Sequence, residues 1–154
     1  MGFIRQNIIK LLFLMLFFPL ALFGQSPKSG ATVDYINSKL GKGFEVKLKG
    51  NYLVASYYEN GKDLYREDLM HVKDIDINSI YYNASEQMMI INCIGVKNKC
   101  VDRQLYIQKI RRRYGRISFY VKLDTPSADN LTRALKHLIQ MTTNSKYTAD
   151  ESFD

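Results

Sequence analysis

The stretch that decides the fold is Arg116-Ile117-Ser118-Phe119-Tyr120-Val121-Lys122-Leu123, followed at once by Thr125-Pro126-Ser127-Ala128-Asp129-Asn130-Leu131-Thr132-Arg133-Ala134-Leu135-Lys136-His137-Leu138-Ile139-Gln140. In the first segment Ile117, Phe119, Val121 and Leu123 alternate with Arg116, Ser118, Tyr120 and Lys122, the period of a strand with one buried face. In the second the period becomes helical. Ala128, Leu131, Ala134, Leu135, Leu138 and Ile139 share one face, Thr125 is a suitable cap and Pro126 fits the first turn. A strand running directly into a long amphipathic helix is the end of an α+β domain in which the helix must bury its stripe against a sheet.

Upstream the signals are mainly of strands. Phe44, Val46 and Leu48 alternate with Glu45, Lys47 and Lys49, and Gly50-Asn51 separates them from the aromatic-rich run Tyr52 to Tyr58. Asn60-Gly61 is a strong hairpin signal leading into Asp63 to Val72. Ile75 to Tyr82 reads as a short strand interrupted by polar residues, and Gln87 to Cys93 and Cys100 to Ile107 as two more. Before them, Thr32 can cap a short helix with Val33, Ile36 and Leu40 on one face and Gly41 at its left-handed stop. The result is about seven mainly antiparallel strands between two helices, a bent β-sandwich or partly open barrel.

The 154 residues, 46% hydrophobic and 24% charged, suit one globular domain. The amino terminus reads as a secretory signal over residues 1–24. Arg5 and Lys10 form its basic region, Leu11 to Phe23 its apolar run, and Gly24-Gln25-Ser26 its junction, with cleavage after Ala21 as an alternative. Thirteen apolar residues rise about 20 Å as a helix against a hydrocarbon core of about 30 Å, which disfavours a membrane anchor. Residues 25–31 read as a mobile leader, 32–144 as the domain and 145–154 as a polar tail; no transmembrane span is expected in the mature, exported chain.

Export lets thiols stay oxidised, so Cys93 and Cys100 are expected to form a disulfide. Turn-forming Gly95, Val96, Lys97 and Asn98 between them suggest a bridge across a hairpin, and the spacing is wider than the Cys-x-x-Cys of a redox pair. His71 and His137 have no local catalytic partner. Asp74 and Asp76 lack the glycine turn and terminal glutamate of a calcium loop and read as solvated acids, and Glu59, Glu67 and Asp68 make no better case. No catalytic residue, metal site or cofactor is expected. Asn83-Ala84-Ser85 and Asn130-Leu131-Thr132 match the glycosylation pattern, which matters only in a host with that machinery.

The basic segment stands out. From Gly95 to Lys122 the chain carries Lys97, Lys99, Arg103, Lys109, Arg111, Arg112, Arg113, Arg116 and Lys122 against the single acid Asp102, in a protein of net charge +7. Lys109, Arg111, Arg112, Arg113, Tyr114 and Arg116 are expected in a loop between two strands, where guanidinium groups clamp carboxylate, phosphate or sulfate and the tyrosine stacks. The bland alternative is a solvated loop that aids solubility. Export places the domain away from cellular nucleic acid, leaving an acidic protein, or an anionic lipid headgroup or acidic glycan, as the partner. The eleven tyrosines fit a half-buried sheet as readily as a recognition face.

The order of elements over Phe44 to Thr143, with Arg116 to Leu123 feeding the helix Pro126 to Thr143, resembles the pleckstrin-homology-like superfold, whose last helix plugs one end of a bent sandwich. The resemblance implies architecture. The chain contains no tryptophan, so the tryptophan often found on that helix has no counterpart and phosphoinositide binding is not carried across. The expectation is an exported, non-enzymatic binding or interaction module, with a hydrolase as the least favoured alternative.

Overall fold

The computed structural model describes residues 27–150; the expected signal segment, residues 25–26 and the last four residues of the expected tail lie outside them. Helix α1 (Pro27–Leu40) leads into β1 (Phe44–Lys49), β2 (Tyr52–Glu59) and β3 (Asp63–His71). Two single-turn 3-10 helices, Val72–Asp74 and Ile77–Ser79, precede β4 (Tyr81–Asn83), β5 (Met88–Asn92), β6 (Val101–Leu105), β7 (Ile110–Tyr114), β8 (Arg116–Tyr120) and helix α2 (Thr125–Asp150). All described pairings are antiparallel. They form a five-stranded sheet of order β1-β2-β3-β6-β7 and a three-stranded sheet of order β4-β5-β8, with no closed barrel among the described residues.

The α+β class, the two sheets and both flanking helices agree with the sequence reading, but the element bounds differ. The described residues form eight strand segments against the expected seven or so, the last two being halves of one bent strand. Helix α1 starts at Pro27, inside the expected leader, because proline suits a first helical turn and Ile36 and Leu40 anchor the later turns in the core. Helix α2 runs on through the expected tail to Asp150. Its cap is Asp124 rather than Thr125, the carboxylate accepting from the Ser127 amide at 3.3 Å. The segment around Asp74 and Asp76 is not a strand edge: Asp76 caps the second 3-10 turn, and Ile75 only bridges to Cys93.

One apolar core joins the layers. Phe44 of β1 stacks on Phe119 of β8 with centroids 4.0 Å apart, and Val46, Leu53, Met70, Met89, Ile91, Val101 and Ile117 are buried around them. Leu131, Leu135, Leu138 and Ile139 of α2 complete it. Burying each such side chain contributes about 1.5–3 kcal/mol.

The corner between the sheets corrects the hairpin expectation. β7 and β8 are one strand bent at Gly115. On it Asn92 of β5 faces Arg116 and Val101 of β6 faces Tyr114, so β5 and β6 follow one another along the same partner and do not pair with each other. Their ends are joined by the expected Cys93–Cys100 disulfide, with Cα atoms 5.8 Å apart. Strands flanking a third would be about 9–10 Å apart, twice the interstrand spacing. The bridge therefore splices two strands end to end and pinches off the loop between them. Gly115 is required here because a Cβ at that position would lie 2.6 Å from the Asn98 carbonyl oxygen.

Candidate functional site

Of the arginines expected in a loop, Arg111, Arg112 and Arg113 stand on β7, an edge strand, and Arg116 opens β8. Only Lys109 precedes β7, at positive φ in the turn that closes the β6–β7 hairpin. Three consecutive arginines leave no apolar alternation to betray a strand; pairing with β6 holds them extended. The consequence is that the triplet is divided between two faces. Arg112 lies directly opposite Arg103, whereas Arg113 lies opposite Asp102 and Arg111 opposite Gln104.

On the outer face Arg111 grips Asp102 with two guanidinium nitrogens, Nε at 2.7 Å. That hydrogen-bonded pair holds the Asp102 carboxyl below the usual carboxylate range, and Arg113 adds to the effect. Arg112, Arg113 and Arg116 are exposed and form no salt bridge with a described residue.

The inner face holds a feature that sequence reasoning missed. Asp68, set aside with Glu59 and Glu67, is fully buried. Arg103 donates to it from Nε at 2.7 Å and Nη2 at 2.9 Å, and Arg66 donates from Nε at 3.0 Å and from Nη2. The Tyr57 hydroxyl contacts the same carboxylate at 3.3 Å, donates to the Ser118 carbonyl at 3.0 Å and accepts from Arg66 Nη2 at 3.0 Å. Each guanidinium lies over an aromatic ring, Arg66 on Tyr57 at 3.9 Å and Arg103 on Tyr114 at 4.0 Å. Burial, and then the neighbouring Asp68, raise the Tyr57 hydroxyl well above the ordinary tyrosine range. Ala55, Asp68 and Arg103 occupy consecutive register positions across β2, β3 and β6.

Arg103 and Tyr114 also line a cleft of about 500 Å³ with Asn92, Gly115, Arg116 and Ser118. The structure thus brings Tyr114 and Arg116 together, puts Arg112 on the Arg103 face, and separates Arg111 and Arg113 from them.

The other candidates lie elsewhere. His137 is exposed on α2. His71 accepts from the Lys73 amide at 3.2 Å and stacks edge-on with Tyr52. Asp74 pairs with Lys97 at 2.7 Å. Among the described residues no group of three or more His, Cys, Asp or Glu could hold a metal, and no helix is long and apolar enough to cross a membrane. The chain matches no protein-family model, no curated protein and no solved structure.

Proposed function

We propose that this domain is a non-enzymatic interaction module, exported as the sequence suggests, that docks an acidic, extended segment of a protein partner along β7. The observation that carries the reading is the asymmetry of the five-stranded sheet. At its β1 edge Asn37 of α1 bonds both backbone groups of Val46, accepting from the amide at 2.8 Å and donating to the carbonyl at 2.9 Å. At its β7 edge no described strand pairs beyond Ile110–Tyr114. An uncovered edge accepts a strand through main-chain hydrogen bonds, and side chains at alternating positions supply specificity. Here those side chains are Arg111 and Arg113 on one face and Arg112 on the other. Charged residues also guard an edge against aggregation, so the test must separate attraction from protection.

Isotope-labelled mature protein titrated with a capped peptide of alternating Glu and Val should show amide shifts confined to Ile110–Tyr114, with affinity falling as salt rises. Changing Arg112 and Arg113 together to Gln should weaken binding roughly tenfold, the sum of two exposed charge pairs. A Lys-Val peptide that binds equally well, or shifts located elsewhere, would refute the docking edge.

A second reading, contact with an anionic lipid headgroup or acidic glycan through Lys109 to Arg116, is favoured by the hairpin tip. Ile107 is 74% exposed beside exposed Tyr106 and precedes Lys109. Sedimentation with phosphatidylserine vesicles, lost on Ile107→Ser but insensitive to the Glu-Val peptide, would favour it.

A further inference from the structure

The cleft between the sheets carries a charge count that the β7 edge does not explain. Asp68 is one carboxylate serving two guanidiniums, and the Arg66 and Arg103 side chains are only 16% and 14% exposed. One positive charge is left over in a largely desolvated place. Arg116, on the rim and without a salt bridge to a described residue, adds a second. An uncompensated buried charge is strongly unfavourable, whereas a counter-ion brought to it is correspondingly favoured.

We infer that this cleft binds a phosphate group. A carboxylate ligand would neutralise half of the surplus, while phosphate at neutral pH carries between about −1.5 and −2 and matches it. The donors suit a tetrahedral oxyanion. Asp68 takes Nε and Nη2 of Arg103, leaving Nη1 unengaged by that carboxylate, and the Tyr114 ring 4.0 Å from the guanidinium centre fixes its plane. Arg116 and Ser118 line the same space, as does Asn92, whose side-chain amide donates one N–H to the Ser79 carbonyl at 3.4 Å and has a second. About 500 Å³ is ample for a small organic phosphate, small-molecule sites commonly running from about 300 to 1,000 Å³. The inference rests on Arg103 and Arg116 and stands apart from docking along β7, which rests on Arg112 and Arg113.

The test is calorimetric and NMR titration of the disulfide-bonded mature chain with inorganic phosphate, glycerol phosphate and acetate, and sedimentation with phosphatidic acid vesicles. Saturable phosphate binding, tighter than acetate, should shift the Nε–H resonances of Arg103 and Arg116. Arg103→Gln risks unfolding the Asp68 cluster, so the variant is Arg116→Gln, which should weaken phosphate at least tenfold with the melting temperature unchanged. Lys49→Gln removes the same charge at the far edge of the sheet and should leave affinity as it was. Response to the soluble phosphates identifies a free ligand; response to the vesicles alone, still dependent on Arg116, identifies a lipid headgroup. Equal losses in Arg116→Gln and Lys49→Gln, acetate binding as tightly as phosphate, or absence of saturable binding to every phosphate probe would overturn the site. None of these outcomes touches the peptide titration.

Discussion

Asp68 and Tyr57 set the polar interior at the scale of single residues. Asn at position 68 would keep the shape and remove the charge that faces both Arg66 and Arg103. Breaking a buried ion pair by removing one partner costs about 3–5 kcal/mol, so Asp68→Asn should lower the urea midpoint by a corresponding amount, and an unchanged midpoint would mean that water reaches the cluster. Tyr57 yields a prediction in pH. Its hydroxyl is raised above the ordinary value near 10, first by burial and then by Asp68. The folded state therefore holds that proton more tightly than the unfolded chain. The contribution is present in full below about pH 10 and is lost as pH climbs beyond it. Absorbance at 295 nm should show one tyrosine ionising only as the protein unfolds, and Tyr57→Phe should flatten stability between about pH 10 and 11. Neither role was legible in the sequence. Leu64 to Val72 alternates too loosely to tell an inward acid, Asp68, from its outward neighbour Glu67. A usable signal was the i, i+2 series Arg66, Asp68, Met70, which puts two opposite charges on the face of a core methionine.

At the scale of elements, the ribbon made by β5, β6 and the bent strand Ile110–Tyr120 ties the two sheets together. The disulfide that splices it closes a short loop, so the chain-entropy estimate is about 2–3 kcal/mol. Cys93→Ser with Cys100→Ser should lower the melting temperature by roughly 10 °C. The loss should appear first as faster amide exchange in Asn92, Val101 and Tyr114, where the sheets meet. Uniform loss of protection across both sheets would instead make the bridge a global staple. The cysteine pairing could be read from composition and the expected export. The placing of the two strands it joins could not, because two apolar runs separated by turn residues look the same whether they face each other or face a third strand. For a related reason Arg111 to Arg113 read as a loop: a strand can be specified by its neighbour's backbone while its own side chains show no period.

At the scale of the molecule, the fold class was visible because Phe44 to Leu48 and Ile117 to Leu123 keep a period of two and Ala128 to Ile139 keeps a helical one, each on a face that must find a core. How the sheet edges are finished was not visible, since it depends on a helix meeting a strand. Asn37 reads in sequence as a polar position on a short helix. In the structure it takes the place of a sixth strand beside Val46, leaving β7 as the edge of the larger sheet beyond which no described strand pairs. Asn37→Ala should remove two hydrogen bonds, at about 0.5–1.5 kcal/mol each, and uncover an edge that lacks the run of arginines guarding β7. An open edge recruits other edges, and β1, with Glu45 paired to Lys47, has little net charge to repel them. Light scattering should therefore show concentration-dependent association of Asn37→Ala beyond that of the native protein, and Asn37→Asp, which still accepts from the Val46 amide but cannot donate to its carbonyl, should fall between them. If Asn37→Ala loses stability with no gain in association, the helix is a packing element and the edge beneath it needs no guard.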